Sequence, residues 1–309
     1  MTFHAPPPLP EWIEKHLPFQ RRIYEIQEGP DAGRHIHFID HGSKEGRPVF
    51  FQHGNPMWSF LWRKVIAALD PEQYRCIAPD LLGTGLSTPL PTVEDHQLSR
   101  HTQALSECFE ALELEDVILV GQDWGGPMIT NIGANFSERI TGVVLGNTSV
   151  LAPRNPRGTL FHKLANIPLF SKLLFQHLEF SLRMLHRVQG DRASIRGEIA
   201  RCYKWPFRQS KNKSALLGLT KMVPNHQEHP SMEYLKKGED WLKAFDGPMA
   251  IVWGMKDPIL GHVLKRHAQT FSNAEVTTTQ AGHFLQEEVD KQITLAIESV
   301  ALQSSEAFS

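Results

Sequence analysis

Short runs rich in valine and isoleucine recur along the 309-residue chain, separated by segments with helical periodicity. Two early runs alternate apolar and polar residues like antiparallel strands, whereas the later runs look like buried strands. Continuous apolar runs are typical of strands buried on both faces of a parallel sheet. The pattern predicts an α/β fold with a mostly parallel, eight-stranded sheet flanked by helices. The predicted strands are residues 21–27, 35–39, 48–53, 75–79, 117–121, 142–146, 249–253 and 275–279.

The helical segments fall into two groups. Alternation of strands and helices stops between residues 149 and 231, where the apolar residues keep helical spacing. We expect a helical cap domain at residues 150–230, inserted after the sixth predicted strand, and a core domain formed by residues 1–149 and 231–309. The polar tail at residues 303–309 is expected to be extended or mobile. The predicted core helices are residues 61–69, 98–112, 127–136, 263–270 and 288–302.

The net charge and the cysteine content indicate which class of partner the protein binds and in which cellular compartment it lies. The chain has a formal net charge of −2 and no basic run, so we expect a small-molecule partner rather than nucleic acid or a membrane surface. No stretch approaches the roughly 18 consecutive apolar residues of a membrane span. The cysteines Cys76, Cys108 and Cys202 are odd in number and far apart, as expected for reduced thiols in a cytoplasmic protein.

The segment around Asp123 has the composition of a sharp turn between a strand and a helix. An apolar strand ends at Val120, Gly121 and Gly125 flank Asp123, and a helical pattern follows. Such a turn needs glycines because its central residue has a strained backbone and neighbouring side chains would collide. A carboxylate at its centre can attack a saturated carbon without first losing a proton. Asp123 is therefore the predicted nucleophile.

A second loop supplies candidate hydrogen-bond donors. It follows the predicted strand at 48–53 and places Asn55 between a glycine and a proline. The backbone N–H groups of Asn55 and Trp124 would form an oxyanion hole during hydrolysis of an ester of Asp123. The side-chain amide of Asn55 and the indole N–H of Trp124 are neutral donors that suit a departing halide. Both residues are therefore predicted for the oxyanion hole and for a halide site.

The base and its acid are predicted from chain order and position. His283 follows the last predicted strand and a glycine, in the order nucleophile, acid, histidine. Asp257 lies in the turn after the strand at 249–253. The other position for an acid, after the strand at 142–146, holds Asn147, whose neutral amide cannot stabilise an imidazolium as a carboxylate does. We predict His283 as the base and Asp257 as the acid that orients it.

Together these motifs resemble the haloalkane dehalogenases over about residues 18–300. The pair Asn55 and Trp124, combined with an acid at Asp257, is similar to the third subfamily of that family. Some dehalogenases take a second halide donor from a cap tryptophan, but we expect Trp205 to stay outside the site because Asn55 fills that role. The matching motifs are residues 53–56, 58–63, 80–87, 122–126 and 282–284, with similar cap segments at 203–207 and 229–231.

The resemblance implies hydrolysis of haloalkanes to an alcohol, a halide ion and a proton, with no metal and no organic cofactor. Asp123 would displace the halide to form an alkyl ester, and His283, held by Asp257, would activate the water that cleaves it. Apolar cap residues are expected to wall a dry pocket. Those named by the pattern are Phe161, Leu164, Phe170 and Leu174.

Other functions are compatible with parts of this pattern. An epoxide hydrolase shares the nucleophile and the histidine–acid pair but needs cap tyrosines, and only Tyr203 lies inside the predicted cap, with Tyr234 just beyond it. A luciferase-like monooxygenase on the same scaffold could retain the same residues. A fluoroacetate-type dehalogenase would be expected to have an arginine in place of Trp124. A non-catalytic receptor has no evident need for an intact nucleophile, base and acid.

Overall fold

The computed structural model describes residues 2–156, 160–167, 170–210 and 212–307, without the side chains of residues 160–162 and 307. Its centre is a single sheet of nine strands. The strands are β1 (Phe3–His4), β2 (Arg21–Glu25), β3 (His35–His41), β4 (Arg47–Gln52), β5 (Tyr74–Pro79), β6 (Val117–Asp123), β7 (Ile140–Thr148), β8 (Met249–Gly254) and β9 (Glu275–Thr279).

The sheet has the order β1-β2-β3-β5-β4-β6-β7-β8-β9. The pairs from β1 to β5 are antiparallel, and every pair from β5 to β9 is parallel. All eight predicted strands are present, and the predicted antiparallel start is confirmed. The expectation that the last strand is buried is wrong, because β9 forms one edge of the sheet and its residues are exposed or half-buried. The ninth strand, β1, was not predicted, because two residues are too few to show an alternating pattern.

Helices cover the sheet, and the five predicted core helices are all present. Among the described helices, none has the combination of length and apolar character needed to span a bilayer. The helices are α1 (Glu11–Glu14), α2 (Arg63–Ala68), α3 (Leu98–Ala111), α4 (Gly125–Asn135), α5 (Leu160–Ala165), α6 (Phe180–Met184), α7 (Gly197–Gln209), α8 (Ser214–Lys221), α9 (Ser231–Ala244), α10 (Leu264–Thr270) and α11 (Asp290–Ala307).

The segment between β7 and α9 is helical, as its apolar spacing predicts. It contains α5 to α8 and a π-helix (Lys172–His177) between α5 and α6. In the part of this segment that the structure describes, no residue belongs to a strand.

The polar C-terminal tail is helical rather than extended. Helix α11 continues to Ala307, so the expected extended tail from residue 303 is wrong for residues 303–307. Ser304 is fully buried, and its hydroxyl donates to the backbone carbonyl of Val300 at 2.8 Å. The hydroxyl of Ser305 similarly donates to the carbonyl of Ala301 at 2.9 Å. Bonds to carbonyls one turn back satisfy these hydroxyls within the helix, and the burial of Ser304 shows that this polar turn packs against the core.

A buried polar cluster joins helix α7, which lies in the predicted cap, to helix α2. Arg63 in α2 forms a bidentate ion pair with Glu287 at N···O distances of 2.5 and 2.8 Å, and both residues are buried. The hydroxyl of Tyr203 in α7 also donates to Glu287. Glu287 lies four residues after His283, so the cluster fixes the loop that contains the predicted base. A fully paired arrangement is needed here because an unpaired charge in the interior is costly.

We predict that Arg63→Met lowers the free energy of unfolding by about 3 kcal/mol, because it leaves Glu287 buried without its main partner. The loss should be at the low end for such a change, since the half-exposed Lys64 also lies 3.4 Å from Glu287. Urea denaturation measures the change. The control is Arg139→Met, which removes a partly exposed pair whose acid, Glu115, stays in contact with water, and it should cost less than about 1 kcal/mol. Equal losses in the two variants would contradict the assignment.

Candidate active site

Asp123 lies at the predicted sharp turn, between the end of β6 and the start of α4. Its backbone is left-handed, with φ of +53°, a conformation that side chains other than glycine rarely adopt. A Cβ added at Gly125 would lie 1.9 Å from the carbonyl oxygen of Gln52, so the glycine is required there. The hydroxyl of Thr148 donates to the backbone carbonyl of Asp123 at 2.6 Å. The turn therefore projects the carboxylate from the edge of the sheet at the ends of the parallel strands.

Asn55 and Trp124 lie beside this carboxylate. The backbone N–H of Asn55 donates to Oδ1 of Asp123 at 2.8 Å. A Cβ at Gly54 would lie 2.1 Å from the same oxygen, so only glycine allows this close approach. Trp124 directly follows Asp123, and the side chains of Asn55 and Trp124 line the same cavity as Asp123. The structure thus brings both predicted donors to the predicted nucleophile.

His283 and Asp257 complete the group. Nδ1 of His283 lies 2.8 Å from Oδ2 of Asp257, and both side chains are buried. Nε2 of His283 lies 3.5 Å from Oδ2 of Asp123, which is longer than an ordinary hydrogen bond. The imidazole therefore lies between two carboxylates, and all five predicted site residues lie together.

The charges of this group support one another. Burial by itself lowers the pKa of His283, but interactions with the negatively charged Asp257 and Asp123 outweigh burial and raise it to about 10. Burial by itself raises the pKa of Asp257, but the charge of His283 and hydrogen bonds from His283 and Asn147 hold it below its ordinary value. The free site therefore favours an imidazolium flanked by carboxylates.

Two buried amides hold the base and its acid. The side-chain amide of Asn147 donates to Oδ2 of Asp257 at 2.8 Å and accepts from the backbone N–H of Gly254 at 2.6 Å. Gln122 donates to the backbone carbonyl of His283 at 3.1 Å. The sequence excludes Asn147 as the acid but predicts no other role for it, and it predicts no role for Gln122. Their positions, at strand ends next to site residues, were the available signal.

Thr220 of cap helix α8 is a further residue that the sequence did not suggest. It is buried, and its hydroxyl donates to the carbonyl of Leu216 at 3.0 Å. That hydroxyl lies 2.9 Å from Nδ2 of Asn55. Because its proton is already used, the hydroxyl accepts a bond from the amide nitrogen of Asn55. The contact fixes which end of the Asn55 amide faces the cap.

Four of the five site residues, Asn55, Asp123, Trp124 and His283, border a cavity of about 380 Å³. A second cavity of about 360 Å³ also reaches Asp123 and Trp124. The walls of the first cavity are mostly apolar and come from both the cap segment and the core. Besides the site residues, its lining is Pro56, Leu164, Phe180, Ser181, Met184, Leu185, Val188, Thr220, Val223, Pro258, Ile259 and Phe284.

The predicted cap wall is only partly right. Leu164 lines the cavity as expected, but Phe170 is 45% exposed and does not. Leu174 packs against a separate small cluster around Phe175 instead. The side chain of Phe161 lies outside the described residues. Helical spacing identified the apolar positions but could not say which of them face inward. Trp205 does not line either cavity, in agreement with the expectation that it lies outside the site.

Comparisons with known proteins agree with this geometry. The family model described as alpha/beta hydrolase fold matches residues 47–290. The chain is 30% identical over 285 residues to haloalkane dehalogenase 2 of Mycobacterium bovis, covering 91% of this chain and 94% of that protein. The chain belongs to the haloalkane dehalogenase family of α/β-hydrolases. It is also 27% identical over 274 residues to a haloalkane dehalogenase of Mycolicibacterium paratuberculosis, covering 88% and 89% of the two chains.

Solved structures of this family share the fold. The haloalkane dehalogenase DpaA from Paraglaciecola agarilytica NO2 is 23% identical, with a TM-score of 0.78 over 97% of this chain and 99% of that one. The dehalogenase DatA from Agrobacterium tumefaciens C58 is 26% identical, with a TM-score of 0.73 over 92% and 97% of the two chains. The predicted α/β-hydrolase fold is therefore confirmed.

Proposed function

We propose that this dehalogenase-family protein hydrolyses the carbon–halogen bond of haloalkanes, releasing an alcohol, a halide ion and a proton. The observation that carries the proposal is a carboxylate, Asp123, on a strained turn at an apolar cavity, with the neutral donors Asn55 and Trp124 beside it. The family membership supports the same reaction. An apolar cavity suits an apolar substrate and leaves the carboxylate weakly solvated.

In the first step Asp123 attacks the carbon that bears the halogen. Its Oδ1 accepts the N–H of Asn55, while Oδ2 lies 3.5 Å from His283 and is less tightly held. An electron pair of the carboxylate forms the new C–O bond, and the C–X pair leaves with the halide. The Asn55 amide and the Trp124 indole stabilise the halide as charge develops on it. The product of this step is an alkyl ester of Asp123.

In the second step His283 acts as a general base. Esterification removes the charge of Asp123, so only Asp257 still stabilises the imidazolium, and the pKa of His283 falls from its raised value. The neutral imidazole takes a proton from water as the water attacks the ester carbonyl carbon. The N–H of Asn55, already 2.8 Å from Oδ1, stabilises the oxyanion together with the N–H of Trp124. Collapse of the intermediate expels the alkoxide, which takes the proton from the imidazolium of His283 and leaves as the alcohol. The carboxylic acid of Asp123 then loses the proton that the reaction releases, which regenerates the carboxylate.

The acid at Asp257 and the halide pair support membership of the third subfamily. We also propose that residues 150–230 act as the cap domain over the core formed by 1–149 and 231–309. A cytoplasmic location is supported by the three cysteines, which are all free and buried.

The geometry disfavours the epoxide hydrolase alternative. Its chemistry would need a cap tyrosine aimed at the ring oxygen. The hydroxyl of Tyr203 instead donates to Glu287 in the buried cluster, and neither Tyr203 nor Tyr234 lines a cavity at Asp123. The hydroxyl residues that do line the two cavities, Ser149, Ser181 and Thr220, are aliphatic alcohols, which are far less acidic than a phenol.

We expect Thr220 to position the halide donor. Its hydroxyl binds one hydrogen of the Asn55 amide, which leaves the amide a defined orientation at the cavity wall. Thr220 touches neither of the groups that exchange covalent bonds. Its influence should therefore appear in halide affinity and in the halide-release step rather than in ester hydrolysis.

The reaction is tested by halide release from chloro-, bromo- and iodoalkanes, with epoxides and an imidazopyrazinone as alternative substrates. Wild-type protein should release halide, and Asp123→Asn should lose at least ~10³-fold in turnover with the fold retained, because an amide of the same shape is a poor nucleophile. The exposed Asp246→Asn variant serves as control and should keep full activity. Epoxide opening or light emission without halide release would contradict the proposal.

Replacing Thr220 by valine keeps its shape but removes the hydroxyl. Thr220→Val should weaken halide binding, followed by tryptophan fluorescence, by about tenfold, the cost of one lost hydrogen bond near 1.4 kcal/mol. Thr220→Ser should restore most of the affinity. Thr294→Val removes a buried threonine hydroxyl that likewise bonds one turn back, at 3.0 Å, but far from the cavity, and should change nothing. Equal halide affinity in all three variants would exclude the positioning role.

A further inference from the structure

Charge is distributed unevenly along this chain. Residues 150–230 contain 14 lysines and arginines but only four aspartates and glutamates. The rest of the chain contains 18 basic and 30 acidic residues. The net charge of the whole chain is near zero because a cationic segment at 150–230 offsets an acidic remainder. A partner that approaches residues 150–230 would therefore meet a positive electrostatic field.

Six of these cations form one basic surface on and around α6 and α7. The five arginines are exposed and the lysine is half-buried. Burial and nearby positive charges, chiefly those of arginines in this set, lower the pKa values of His186 and Lys204, so the cations are close neighbours. Within the described residues, no acid forms an ion pair with any of the six. The basic surface is Arg183, Arg187, Arg192, Arg196, Lys204 and Arg208.

Large apolar side chains are exposed next to the basic surface. Phe170, Leu173 and Leu178 are 45%, 51% and 44% exposed. They lie on the π-helix or directly beside it in the sequence. The π-helix packs against α6, the helix that contains Arg183. Three such side chains within nine residues form a patch that water does not favour. We call these three residues together with the basic surface the cap face.

The cap face lies over the substrate cavity. Phe180, Ser181 and Met184 of α6 line the cavity that contains Asp123. The same helix carries the exposed Arg183. Helix α6 therefore contributes both to the cap face and to the wall of the candidate active site.

We propose that the cap face docks onto the surface of a bilayer that contains anionic phospholipid. Anionic headgroups would attract the six cations, and the three apolar side chains would enter the boundary between headgroups and acyl chains. A nucleic acid would use the cations but leave the apolar side chains in water. A twofold dimer through this face would press the basic surface against itself. The net charge of the chain led to the expectation that a membrane surface is not a partner. The proposal differs because net charge does not show that basic residues are concentrated in one part of the chain.

Docking would also place the cavity next to a reservoir of apolar substrate, since haloalkanes partition into lipid. This consequence rests on the proposed function, whereas docking itself does not. Binding to vesicles is measured without substrate, so failure of docking and failure of the proposed reaction are separate results.

The test is co-sedimentation of the intact protein with vesicles of phosphatidylcholine alone or mixed with phosphatidylglycerol. We expect at least ~10-fold stronger binding to the mixed vesicles, weakened by salt. Arg183→Glu with Arg187→Glu should abolish this preference, and Phe170→Ser with Leu173→Ser should weaken binding by a similar factor. All of these variants should keep wild-type turnover of a water-soluble haloalkane when no vesicles are present.

Matched controls lie outside the cap face. Leu295 and Leu302 on α11 are 64% and 63% exposed, and their double serine variant should bind vesicles like the wild type. Charge reversal at the exposed Lys236 and Lys291 should likewise have no effect. Equal binding to both vesicle types, or equal losses in controls and cap-face variants, would overturn the proposal. Two other results would also overturn it. One is binding to duplex DNA that is tighter than binding to vesicles and is unchanged by the apolar substitutions; the other is self-association that the arginine substitutions abolish.

Discussion

The left-handed backbone at Asp123 is the constraint on which the rest of the site depends. A chain can turn from β6 into α4 this sharply only if glycines give space to the neighbouring strand, as Gly125 does for the carbonyl of Gln52. Because β6 lies between β4 and β7, the loop after β4 delivers Asn55 to one side, and Thr148 at the end of β7 holds the turn. The position of the nucleophile therefore fixes where its donors must lie.

Charge coupling then links the two halves of the proposed cycle. In the free enzyme His283 lies between two carboxylates, which raise its pKa to about 10 despite its burial. Alkylation of Asp123 cancels one of those charges at the moment when a base is needed. Asp257 stays charged because His283 and Asn147 both bind it. The same residues can thus favour a cation before the ester forms and a neutral base afterwards.

Much of this could be predicted from the sequence because the signals are local. Asp123 and Asn55 stand at the ends of apolar strands, His283 follows the last strand, and each lies within two residues of a glycine. Parallel strands end at one edge of a sheet, so these positions are expected to lie together. The contact between Asn55 and Thr220 joins residues far apart in the chain and depends on how the cap helices seat, which no local pattern encodes. For the same reason helical spacing named Phe170 as a wall residue although it faces outward.

In the proposed cycle, carbon–halogen cleavage precedes the action of His283 as a base and does not need it. This order of steps is tested most directly by His283→Gln mixed with a haloalkane that the wild type turns over. We expect this variant to release about one halide ion per active site and then to stop. Peptide mapping should find the added alkyl mass on Asp123. A folded variant that shows neither the burst nor the adduct would contradict this order, because His283 would then act before or during carbon–halogen cleavage.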